Sequence, residues 1–84
     1  MKLKHKFAKA IYYARSEQKL TQAIVAEHAD ISVRGYQRLE KGEYEPQLST
    51  ALRLMITLQI SPNEFAEEVG VDVPVSSSSQ TVQV

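Results

Sequence analysis

The chain has 84 residues, with ten Lys/Arg balanced by ten Asp/Glu and no cysteine. That length supports one modest core. The missing cysteines exclude a disulfide framework and a thiolate metal site, and no apolar run approaches the roughly 20 residues that cross a bilayer.

The charge is unevenly spread. Residues 1–41 hold nine Lys/Arg and four acids, whereas residues 42–84 hold one, Arg53, and six acids. This predicts a basic face turned toward a polyanion and an acidic face turned away. The basic start, Met1 to Lys6, has no apolar run behind it and does not read as a secretory signal, so a cytoplasmic protein is expected.

A first helix is expected from about Leu3 to Gln18, with Phe7, Ile11 and Ala14 as its inward stripe. Thr21 is placed to cap a second helix, roughly Gln22 to Ala29, in which Val25 and Ala29 share a face. Asp30 tolerates the left-handed backbone of a tight turn, and Ile31 plugs the corner. Ser32 then caps a third helix, roughly Val33 to Lys41, which turns Tyr36 and Leu39 inward and Val33, Arg34, Gln37 and Arg38 outward; Gly42 stops it. Two short helices, a tight turn and a small residue, Ala26, at the crossing make a helix-turn-helix, which delivers its second helix to the DNA major groove. Gly35 costs that helix about 1 kcal/mol relative to Ala, and its missing side chain would let the backbone approach the groove.

A fourth helix is expected from about Leu48 to Gln59, with Leu48, Leu52, Leu54, Met55 and Leu58 as core positions and Ile56 on the opposite, exposed side. A fifth starts at Ser61-Pro62, a cap followed by proline, turns Phe65 and Val69 inward, and ends at Gly70. The fold class is therefore all-α with five helices, residues 1–70 forming the domain. Residues 71–84, with four consecutive serines flanked by valines, read as a flexible tail; a β-arm is the alternative, confined to an edge by Pro74.

The segment from about Phe7 to Val69 resembles the Xre family, the DNA-binding domains of phage repressors and Cro proteins. The resemblance rests on Thr21-Gln22 opening the first motif helix, Ala26 at the crossing, Leu39-Glu40-Lys41-Gly42 followed by Pro46, and Arg15 near the end of the preceding helix. It implies an ion pair between Arg15 and Glu40 that fixes the recognition helix, and a phosphate contact from Gln22. It assigns Ser32, Val33, Arg34, Gln37 and Arg38 to the DNA-binding set: either arginine for guanine or phosphate, Gln37 for adenine, Val33 for a thymine methyl. It further implies a homodimer on a palindromic operator in double-stranded DNA, and Ile56, Ile60, Ala66 and Val69 are the interface candidates. Glu43 and Glu45 depart from the pattern, because acids in the loop after the recognition helix would repel phosphate.

No catalytic constellation, metal-ligand spacing or phosphate loop appears, and no cofactor is expected. His28 near a helix C-terminus suits the helix dipole. Two functions fit: a sequence-specific, repressor-like transcriptional regulator of a bacterial or phage operon, or a protein-interaction module, such as an antirepressor or antitoxin-like partner, that keeps the fold.

Overall fold

The computed structural model describes residues 2–72. The sequence's proposed tail, beyond Asp72, lies outside the described residues. Helix α1 spans Leu3–Glu17, α2 Gln22–His28, α3 Val33–Glu40 and α4 Leu48–Leu58. A single 3-10 turn, Pro62–Phe65, runs directly into α5, Ala66–Val69. The fifth expected helix is thus half 3-10: the segment between the Ser61 cap and Gly70 is too short for extended α-helical bonding, and 3-10 turns serve such short pieces. All regular elements among the described residues are helical.

One device ends every helix. Lys19, Asp30, Gly42, Gln59 and Gly70 all have positive φ, between 58° and 79°. In each case the next residue donates its backbone N–H five positions back: Leu20 to Arg15, Ile31 to Ala26, Glu43 to Arg38, Ile60 to Met55 and Val71 to Ala66. These are Schellman ends, which satisfy otherwise unpaired carbonyls and bring the residue beyond the turn over the last helical turn. Leu20, Ile31 and Ile60 use that placement to fold apolar side chains onto the core. Three of the five left-handed residues are not glycine, which costs some strain at each.

The core joins Phe7 and Ile11 of α1, Val25, Ala26 and Ala29 around α2, Tyr36 and Leu39 of α3, Leu54 and Leu58 of α4, and Ile60 and Phe65 beyond it. Ala14 packs against this cluster, as the α1 stripe predicts.

Helix α4 departs from expectation. Its core side is Ala51, Leu54, Met55 and Leu58, spaced i, i+3, i+4 and i+7. Leu48 and Leu52 are 75% and 45% exposed, and Ile56 is 76% exposed. These three lie four residues apart on one side, so Ile56 does not oppose Leu48 and Leu52 but extends their stripe. A helix apolar nearly all round carries two adjacent stripes, and only contact with α1 and α2 selects which is buried. Two further expectations are corrected. Ile60 is only 7% exposed because its Schellman turn folds it into the core, so it cannot serve as an interface residue. Val69, expected inward, is 53% exposed: the 3-10 turn buries Phe65, and the short α5 turns Ala66 and Glu68 partly toward the body and leaves Val69 outside.

Candidate nucleic-acid interface

Helices α2 and α3 are built as a unit by their own caps. The Thr21 hydroxyl accepts from the Ile24 N–H at 3.1 Å, and the Ser32 hydroxyl accepts from the Gly35 N–H at 3.0 Å. Ala26 is buried where the helices cross, and Asp30 takes the left-handed turn between them at φ 62°. The second helix buries Tyr36 and Leu39 and leaves Val33, Arg34, Gln37 and Arg38 exposed, the division expected from the sequence.

Glu40 holds this unit to α1. Its Oε2 accepts from Arg15 Nε at 2.5 Å and its Oε1 from Arg15 Nη2 at 3.1 Å, a two-pronged pair. Arg15 also donates from Nη1 to the Leu20 carbonyl at 3.1 Å, and its guanidinium lies 5.7 Å from the Tyr12 ring centre. The Tyr36 hydroxyl donates to Glu40 Oε2 at 2.6 Å, and Gln22 Nε2 donates to Glu40 Oε1 at 2.9 Å. Burial pushes the Glu40 carboxyl upward, but the bonds from Arg15, Tyr36 and Gln22 and the Arg15 charge outweigh it and hold it below its ordinary value. The bond to Glu40, partly opposed by burial, raises the Arg15 guanidinium. Burial, then the bond to Glu40, raises the Tyr36 phenol.

The network continues to the surface. Gln22 Oε1 accepts from Gln37 Nε2 at 3.1 Å, so one amide bridges the Glu40 hub and the exposed face of α3. Gln37 keeps its carbonyl oxygen and a second N–H for an outside partner. Arg38 donates from Nε to Glu43 Oε1 at 2.9 Å, with its guanidinium 5.3 Å from the Tyr44 ring centre. The Tyr44 hydroxyl donates to the Gly35 carbonyl at 3.2 Å, so the open backbone at Gly35 is occupied from within the chain. None of the ion pairs among the described residues involves Arg34.

The bonds of Tyr36, Gln37, Glu43 and Tyr44 were not anticipated from the sequence. Two carried a signal. Tyr36 and Glu40 are four apart on one helix. Once Gly42 is recognised as the left-handed residue of a Schellman end, Arg38 and Glu43 are the pair that this turn brings together.

The surplus of positive charge in residues 1–41 does not all serve one basic face. Lys6 Nζ lies 3.6 Å from Glu68 Oε2, and Lys6 and Lys9 line a cleft with Glu64, Glu67 and Glu68. Part of the basic half is therefore compensated by the acidic half across α1 and α5. His28 sits at the end of α2, where its Nδ1–H donates to the Ile24 carbonyl at 3.0 Å.

The helix-turn-helix family model matches residues 11–65, the stretch from the buried Ile11 of α1 to the buried Phe65 before α5. The chain belongs to the helix-turn-helix family, in its Xre-like group. No curated protein and no solved structure matches it. The helix-turn-helix domain is a DNA-binding fold typical of transcription regulators, and its family is a regulatory rather than an enzymatic one. Within this domain α2 and α3 are the two helices joined by the tight turn at Asp30. No helix among the described residues is long and apolar enough to cross a membrane.

Proposed function

We propose that the protein is a sequence-specific, repressor-like transcriptional regulator of a bacterial or phage operon, working in the cytoplasm and reading the major groove with α3. The observation that carries this reading is the exposed face of α3: Val33, Arg34, Gln37 and Arg38 share one side of a helix whose other side is locked to the core by Tyr36 and Leu39. Two guanidinium groups and an amide supply the donors and acceptors that distinguish bases, and Val33 supplies an apolar contact for a thymine methyl. Ser32 and Gln22, at the starts of α3 and α2, stand ready for phosphate. Ser32 uses only its oxygen in capping, so its proton remains free to donate.

One recognition helix reads few base pairs, so the regulator acts as a homodimer on a palindromic site, with its two helices about one DNA turn, ~34 Å, apart. Support comes from the exposed stripe Leu48, Leu52 and Ile56 on α4, with Val69 as further exposed apolar surface. Of the interface residues expected from the sequence, Ile56 and Val69 remain candidates, Ala66 is half-buried and Ile60 is withdrawn.

A second reading, a protein-interaction module that keeps the fold, draws support from Glu43, which neutralises one of the two exposed arginines of α3. Titration of a labelled random duplex into the full chain at low and moderate salt separates the two. Binding that weakens steeply with salt supports the regulator, because phosphate contacts release counterions. Absence of binding at low salt refutes it. Selection from a random duplex library then tests for sequence preference.

A further inference from the structure

The geometry points to Glu43 as a positioning residue that sets specificity: together with Tyr44 it holds the Arg38 guanidinium so that its two terminal nitrogens face one guanine. The inference rests on the reading of α3 as a recognition helix.

The backbone fixes the arrangement first. Gly42 has φ 74°, and Glu43 donates its N–H to the Arg38 carbonyl at 3.1 Å. The residue beyond a Schellman turn ordinarily contacts the last helical turn through apolar side chains. At the end of α3 that contact is an ion pair, Arg38 Nε to Glu43 Oε1 at 2.9 Å. Tyr44 adds a second restraint. Its ring lies 5.3 Å from the guanidinium carbon, within cation–π range, and its hydroxyl is tied to the Gly35 carbonyl of the same helix at 3.2 Å. Arg38 is thus held at Nε by a carboxylate and on one face by an anchored ring, both supplied by the two residues after Gly42.

This changes what the arginine can do. A free arginine on a helix surface adopts many rotamers and satisfies any phosphate within reach. With Nε occupied, the terminal nitrogens remain as a parallel pair of donors, the geometry that matches guanine O6 and N7. Holding the side chain in advance removes ordering cost at the moment of binding. The carboxylate also cancels part of the attraction to phosphate, so Arg38 contributes less to binding of every sequence and more to choosing one. An acid that reads from the sequence as a hindrance to DNA binding becomes the source of discrimination.

The test selects duplexes from a random library with the wild-type chain. Affinities for the selected site and each of its single-base-pair variants are then measured for wild type, Arg38→Ala, Glu43→Gln and Tyr44→Phe at two salt concentrations. Arg38→Ala should erase discrimination at one G·C pair. Glu43→Gln should reduce discrimination at that same pair by roughly tenfold and leave the other positions unchanged. It should also tighten binding to random duplex with a steeper salt dependence. Tyr44→Phe, which keeps the ring and loses its anchor, should give a smaller loss at the same pair. Thermal melts should show all three variants folded, since Arg38 and Glu43 are exposed and phenylalanine retains the ring of Tyr44. If Glu43→Gln tightens every sequence by one common factor with an intact base profile, Glu43 only repels phosphate and the inference fails while the proposed function stands. If the wild-type chain selects no duplex, both fall.

Discussion

The Tyr36 hydroxyl donates to Glu40 at 2.6 Å across one turn of α3, from a ring that is completely buried. Helix α3 is therefore fastened to the core by an apolar ring and to the Arg15 pair by the polar tip of the same side chain. A buried carboxylate is costly unless its lone pairs are satisfied, and here Arg15, Tyr36 and Gln22 together satisfy them.

Tyr36→Phe tests this fastening with the ring retained. A hydrogen bond to a charged group contributes about 1.5–3 kcal/mol, so the variant should lose about that much unfolding free energy in urea titration. A loss under roughly 0.5 kcal/mol would mean that Arg15 and Gln22 alone satisfy the carboxylate.

The same hub gives stability a pH dependence of known sign. Despite the opposing effect of burial, hydrogen bonding depresses the Glu40 carboxyl in the folded state. Its contribution is thus present above the unfolded value of about 4.3 and is lost as pH falls through the lower folded value. Burial, with help from Glu40, raises the Tyr36 phenol. Its contribution is therefore complete below the unfolded value of about 10 and is lost as pH rises beyond it. Urea midpoints across pH should show both limbs. Glu40→Gln should flatten the acid limb and Tyr36→Phe the alkaline one. Unchanged limbs in these variants would assign the pH dependence to other groups.

How far the sequence could be read depended on the kind of interaction. Capping by Thr21 and Ser32, the left-handed turn at Asp30 and the inward pair Tyr36 and Leu39 are local, and each was legible. The Arg15–Glu40 pair spans 25 positions and was visible only through family resemblance, because no local rule joins an α1 residue to the end of α3. Helix α4 misled because Leu48, Leu52 and Ile56 and the stripe of Leu54 and Leu58 are equally apolar; burial was decided by tertiary packing. The role of Ile60 was hidden for a different reason: a left-handed Gln59 redirects the chain, and glutamine is not a residue that announces such a turn.

Arg34, outside the ion pairs of the described residues, is the side chain of α3 most available to an outside partner. Arg34→Ala should cost about 1–3 kcal/mol and relax preference at one base pair if it makes a bidentate contact. Measured against the selected site and its variants, a uniform loss across all sequences would make it a phosphate contact instead. Gln22→Ala should weaken all sequences about equally. It should also lower stability modestly, because the same amide donates to Glu40 and accepts from Gln37.

Self-association should run through α4. Leu48, Leu52 and Ile56 are centred on Leu52, with one exposed aliphatic four residues to either side. Two copies packed antiparallel about a two-fold axis at Leu52 would set Leu48 of each against Ile56 of the other. In such an arrangement only a charge close to the axis meets its own symmetry mate; the stripe itself carries none, and Arg53 is the one charged residue of α4. Burying an aliphatic side chain of this size yields about 1.5–3 kcal/mol, while association costs on the order of 4–15 kcal/mol. A stripe of this size therefore supports a weak dimer, strengthened when two half-sites on DNA hold the copies together. Sedimentation should show a wild-type dimer on the selected duplex at micromolar concentration and, without DNA, a monomer–dimer equilibrium that shifts toward dimer as concentration rises. Ile56→Glu should be a monomer of unchanged stability in the absence of DNA, since Ile56 contributes little to the core of its own chain. An Ile56→Glu protein that dimerises normally, or a wild type that is monomeric in both conditions, would remove α4 as the interface.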